Sequence, residues 1–266
     1  MNRSFKFENR RVTYSDTGKG QAMVLLHGYL ITKEVWQPVA EILSKEFRIL
    51  AVDLPGHGDS EVAGETHTME FLAEAVRAVI IDAGAGEVIL AGHSMGGYVT
   101  LAFAEKYPEM LAGYVLFHSH PWADAPETVE KRQREIDVVR AGKKDIMYPP
   151  NISMMFAEHN LVTLAGQVEK VKSLAARNPA EGIIAMLNGM IARPARDSVV
   201  EGGRRPLLWI LGRHDRYFSP EKALRNISLP DNGEVVILEN SGHLGFIEET
   251  ERSAGLLTGF TARLDL

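Results

Sequence analysis

Gly92-His93-Ser94-Met95-Gly96 follows the apolar run Val88–Ala91 and leads into a stretch of helical character, so Ser94 falls on a sharp strand-to-helix turn. This is the G-x-S-x-G pattern of a nucleophile elbow. A serine hydroxyl is a poor nucleophile, so a site that uses one must hold it clear of the backbone, supply a base and stabilise an oxyanion. The glycines permit the bend. The helix that follows directs unpaired N–H groups at the reaction centre, and the N–H of Met95 is the natural first oxyanion donor. Taken alone the pentapeptide also fits an ordinary glycine-rich turn. Three further segments decide the matter.

Val24-Leu25-Leu26-His27-Gly28-Tyr29 is an apolar strand ending in a His-Gly turn, from which the N–H of Tyr29 becomes the second oxyanion donor. His27 is read as a brace for that loop. Leu207-Leu208-Trp209-Ile210-Leu211-Gly212-Arg213-His214-Asp215 is another apolar strand, and its end delivers a carboxylate suited to fixing an imidazole tautomer. Asp215 is the expected acid, with Asp124 as a weaker competitor. Glu234-Val235-Val236-Ile237-Leu238-Glu239-Asn240-Ser241-Gly242-His243 ends a last strand in a loop whose histidine is free to swing over Ser94. His243 is the expected base.

The order Ser94, Asp215, His243 is that of the α/β-hydrolase triad and differs from the chymotrypsin and subtilisin orders. With the His27-Gly28 turn, the Asp53-Leu54-Pro55-Gly56-His57-Gly58-Asp59-Ser60 loop, Gly212–Asp215 and Ser241-Gly242-His243, the chain resembles the α/β-hydrolase superfamily over essentially its whole length. It is most similar to single-domain esterase, lactonase and cofactor-free haloperoxidase-like members. The resemblance is specific for the fold and weak for substrate.

Short apolar runs alternate with longer helical patterns, the mark of a mostly parallel central sheet with helices on both faces. Strands are expected at Phe5–Phe7, Val12–Asp16, Met23–Leu26, Ile49–Val52, Val88–Ala91, Gly113–Phe117, Leu207–Leu211 and Val235–Leu238, about eight in all, the first two forming an edge hairpin. Helices are expected over Val35–Lys45, Met69–Asp82, Met95–Tyr107 and Ser253–Leu264. Strand signals vanish between about Pro121 and Glu201. Residues 1–120 and 202–266 therefore read as the hydrolase core and 121–201 as an inserted helical cap, with Glu127–Arg140 as a charged, exposed helix. His118, at the end of the strand beside the elbow strand, with Trp122, Met154, Met155, Phe156, Met186 and Met190, is the expected pocket lining, which favours a small apolar ester or lactone.

The 266 residues, 45% of them hydrophobic, suffice for one large core with a small cap. A net charge of -6 argues against nucleic-acid or anionic-membrane partners, and the absence of cysteine excludes a thiol nucleophile or a disulfide framework. Gly56-His57-Gly58 lacks the third glycine of a dinucleotide fingerprint. His118-Ser119-His120 with Asp124 falls short of a metal ligand set, so neither metal nor organic cofactor is expected. The polar N-terminus reads as a soluble cytoplasmic protein, and the oligomeric state is left open. The expected reaction is acyl transfer to water through a covalent intermediate on Ser94. Its alternatives are a carbon–carbon bond hydrolase or enol-lactonase of ring-cleavage products, a perhydrolase, and a non-catalytic small-ligand receptor. An aspartate nucleophile, which dehalogenases and epoxide hydrolases need, is absent from the elbow.

Overall fold

Eight strands form one sheet in the order β1-β2-β4-β3-β5-β6-β7-β8. The computed structural model describes residues 1–225 and 227–264. β1 (Asn2–Phe7) and β2 (Arg10–Thr17) pair antiparallel across Glu8 and Asn9, both at positive φ, the geometry of a tight hairpin turn. β2 pairs antiparallel with β4 (Arg48–Asp53). From there the sheet is parallel: β4, β3 (Ala22–Leu26), β5 (Val88–His93), β6 (Leu111–Phe117), β7 (Leu207–Gly212) and β8 (Gly233–Leu238). β3, β5, β6 and β7 are buried along their whole length, which is why they read as continuous apolar runs without alternation.

Helices cover the sheet. α1 (Gln37–Leu43), preceded by a 3-10 turn at Lys33–Trp36, packs with α12 (Thr250–Thr261), while α2 (Met69–Asp82) packs with α3 (Met95–Lys106). The Thr68 hydroxyl caps α2 by accepting the Phe71 N–H at 3.1 Å, satisfying one of the donors a helix start leaves open. Leu72, Val76, Val79 and Ile80 then form its buried face. Trp36 is wholly buried and stacks on Phe246 with ring centres 4.1 Å apart, locking the loop after β3 to the end of the chain.

Among the described residues the segment from 121 to 201 contains only helices: α4 (Pro126–Arg140), α5 (Lys144–Met155), α6 (Asn160–Thr163), α7 (Ala165–Arg177), α8 (Ala180–Ala192) and α9 (Asp197–Glu201). α10 (Pro220–Arg225) and α11 (Gly245–Glu248) complete the molecule. α4 is not the uniformly exposed helix its charge suggests. Ile136 and Val139 are buried, and α4 packs against α5 and α8. No described helix is long and apolar enough to cross a membrane.

Candidate active site

From β3 the chain crosses to β4 on one side and later returns to β5 on the other, so β3 and β5 are neighbours with Leu26 opposite Gly92. Such a reversal opens a crevice at the carboxyl ends of the strands. Tyr29 and Ser94 both lie there and both line one cavity of about 500 Å³.

Ser94 has φ 51° and ψ −115°, a backbone state that side chains rarely occupy and that costs about 1–3 kcal/mol. Three bonds hold it. The Ser94 N–H donates to the Phe117 carbonyl at 2.9 Å, and the Ser94 carbonyl accepts from Gly97 N–H at 2.9 Å and from the Ser119 hydroxyl at 2.7 Å. The flanking glycines are sterically required: a Cβ on Gly92 would run into the Gly96 carbonyl and the Thr100 hydroxyl, and one on Gly96 into the Leu26 and His27 carbonyls.

Asp215 follows β7. Its Oδ1 accepts the N–H groups of Tyr217 at 2.8 Å and Phe218 at 3.1 Å, which turns Oδ2 toward His243 Nδ1 at 2.7 Å. Burial by itself would raise this carboxyl. The adjacent His243 imidazole, its hydrogen bond, His118 and the Tyr217 N–H outweigh burial and hold Asp215 below the usual carboxylate range. An ionised carboxylate only accepts, so His243 Nδ1 donates and Nε2 is left as the basic nitrogen. The loop carrying His243 is pinned on several sides. Its N–H donates to the Met155 carbonyl at 2.6 Å, its carbonyl is 2.8 Å from His93 Nε2, and Gly242 N–H donates to Glu248 at 2.8 Å. His243, like Ser94, lines the cavity.

The remaining sequence candidates divide. His27 braces its loop as expected, with Nδ1 2.8 Å from the Gly28 carbonyl and Nε2 accepting the Leu54 N–H at 3.0 Å. Asp53 does the same from its own loop, accepting the Lys33 and Asp59 N–H groups and the Thr13 hydroxyl. His118, Trp122, Met155 and Met190 line the cavity. Met154, Phe156 and Met186 do not: Met154 points outward at 36% exposure, while Phe156 and Met186 are fully buried in the core. In a helix or its cap, neighbours in sequence face different directions, so an apolar composition does not say which residue meets the ligand. His118 Nε2 accepts the Gly245 N–H at 3.1 Å, which leaves its Nδ1–H facing Asp215 Oδ2 at 3.8 Å. Burial pushes this imidazole down to about 3. Asp124, the competing acid, is engaged by Arg132 at 2.6 Å and Arg193 at 2.8 Å, while His243 is bonded to Asp215.

The cavity is also less apolar than expected. Lys131, Arg132 and Glu135 of α4 line it, together with Tyr98, His120 and Tyr217. The first three were legible in principle: Thr128, Lys131, Arg132 and Glu135 recur at the three- and four-residue spacing of one helix face. Reading the whole stretch as charged and therefore solvated hid that stripe.

An elbow serine, a paired Asp and His from later strand ends, and a sheet of this topology define an α/β hydrolase. The alpha/beta hydrolase fold family model matches residues 21–250, and the chain belongs to that family. A thermophilic esterase from Thermogutta terrifontis, solved with malate bound, superposes with a TM-score of 0.90 at 30% identity, covering 96% of this chain and 94% of that one. Among curated relatives, the (E)-2-((N-methylformamido)methylene)succinate hydrolase of Acinetobacter baylyi is 26% identical over 89% of this chain and 88% of its own. The pimeloyl-[acyl-carrier protein] methyl ester esterase of Stenotrophomonas maltophilia is 27% identical over 93% and 95%.

Proposed function

We propose that the protein is a serine hydrolase that cleaves small carboxylic esters or lactones through an acyl-enzyme. The observation that carries this reading is the 2.7 Å Asp215–His243 pair opening on the same cavity as the strained Ser94 elbow. His243 Nε2 takes the Ser94 proton as Oγ attacks the substrate carbonyl. Met95 is the first residue of α3, so its N–H has no carbonyl within the helix to bond, and with the Tyr29 N–H it receives the oxyanion. The imidazolium then protonates the leaving alkoxide. Water, deprotonated by His243, releases the acid and restores Ser94. No step in this scheme needs a metal or an organic cofactor.

The helical segment from 121 to 201 serves as a cap, supplying Trp122, Met155 and Met190 to the cavity while Leu30 and Phe218 come from the core. The esterase names of two of the relatives support ester bonds as the target. The test is release of p-nitrophenol from a short acyl ester by the wild type and by Ser94→Ala. Wild-type turnover lost in Ser94→Ala is the expected result. Turnover that survives the substitution rejects Ser94 as nucleophile, and an intact protein that binds but turns over no ester, thioester or lactone is a receptor or a carbon–carbon bond hydrolase.

A further inference from the structure

The cap side of the cavity carries a positive charge that the chemistry at Ser94 does not use. Arg132 Nε lies 2.6 Å from Asp124 Oδ2, and Arg193 reaches Asp124 Oδ1 at 2.8 Å. The Asp124 and Arg193 side chains are 3% and 2% exposed. One buried carboxylate thus serves two guanidiniums. Burial raises the carboxyl of Glu135, one turn beyond Arg132, with Lys131 and Arg132 opposing the rise. Counting the charged side chains that line the cavity and those bonded to them, with Glu135 taken as ionised, the cations Lys131, Arg132, Lys222 and Arg193 outnumber the anions Asp124, Glu135 and Asp215 by one, in a chain whose net charge is -6.

Asp215 makes its hydrogen bonds to His243 and the loop N–H groups and not to these cations. Two buried nitrogens in this region, Arg193 Nε and His120 Nδ1, have no hydrogen-bond partner. The Lys131 ammonium stands 5.4 Å from the centre of the Tyr217 ring, which is itself 4.9 Å from the His243 ring, so the charge lies on the catalytic side of α4. The Arg132 and Arg193 side chains are 15% and 2% exposed, so their charge is costly unless a counter-ion meets it, while Lys131 is exposed.

We propose that Lys131 and Arg132 form a subsite for a carboxylate carried by the substrate, so that the natural ester or lactone is acidic, as in a hemiester of a dicarboxylic acid. The inference rests on the reading of Ser94 as the nucleophile of the same cavity. Arg132, fixed by Asp124, presents a planar guanidinium, and Lys131 adds an ammonium on a flexible stem. Leu30, Met155 and Met190 supply apolar wall for the intervening methylenes.

The test compares p-nitrophenyl hydrogen glutarate with p-nitrophenyl valerate, which share acyl length and differ only in a terminal carboxylate or methyl. The expected kcat/KM ratio favours the acid by about tenfold, the worth of one charge-assisted hydrogen bond, and falls as salt is raised. Lys131→Gln is expected to lower the ratio several-fold. Arg132→Gln should lower it further, read only if its circular dichroism matches the wild type, since it strands Asp124. A ratio at or below one, or one that neither salt nor Lys131→Gln moves, overturns the subsite. If neither ester is cleaved, the Ser94 reading fails separately, and calorimetry with glutarate then decides the subsite: binding weakened by Lys131→Gln supports it, and no binding overturns it.

Discussion

Replacing Asp215 by Asn removes one charge and leaves the rest of the site nearly unchanged. The amide oxygen still accepts the Tyr217 and Phe218 N–H groups, so the side chain keeps its orientation and its NH₂ group now faces His243 Nδ1 across the former 2.7 Å contact. Two donors cannot share a hydrogen bond, so the ring takes the other tautomer, with its proton on Nε2, where it cannot accept from Ser94. The imidazolium formed during attack also loses its counter-charge. Two unit charges about 4 Å apart at an effective dielectric constant of about 20 attract by ~4 kcal/mol, or ~10³ in rate, and the wrong tautomer brings the expected loss to ~10⁴. Pre-steady-state release of p-nitrophenol isolates acylation, and circular dichroism checks that the variant is folded. Acylation within tenfold of the wild type would refute the assignment. A larger loss in Asp124→Asn than in Asp215→Asn, in folded protein, would move the acid to Asp124.

Burial holds His67 at about 4 and His118 and His120 at about 3, below their ordinary 6.5, so each is neutral in the folded chain and charged in the unfolded one at mildly acid pH. The unfolded state then binds more protons, and stability falls as pH drops from about 6.5 toward 4. The slope is up to ~1.4 kcal/mol per pH unit for each histidine. Urea unfolding at pH 7, 6 and 5 should show the midpoint moving down at each step, and a constant midpoint would contradict neutral burial. Gly92→Ala drives a methyl group into the Gly96 carbonyl and the Thr100 hydroxyl, between β5 and α3, which pack directly on each other. It should cost about 3 kcal/mol or more, and a melting temperature within a degree or two of the wild type would show that the elbow can relax.

Much of this molecule is legible in its sequence, because the signals are local. Strands β3, β5, β6 and β7 are apolar runs buried on both faces, α2 follows from a period of 3.6, and the elbow needs only glycines around one serine. Even the hydrogen-bonded pair Asp215 and His243 could be picked out as candidates, since each follows a recognisable strand. The helical segment from 121 to 201 resisted for a physical reason: its helices bury residues on more than one side. Met154, Met155 and Phe156 are consecutive, yet Met154 faces outward, Met155 lines the cavity and Phe156 enters the core.

From the sequence alone came the fold class, the position of the bend at Ser94, and the choice of Asp215 and His243 as candidate acid and base, since each depends on residues adjacent in the chain. The strand order that sets β3 beside β5, and the choice of Arg132 and Arg193 as partners of Asp124, came only from the tertiary structure. Pairings between residues 8 and 69 positions apart are fixed by which faces pack together, and packing leaves no periodic trace in the sequence that a single chain reveals.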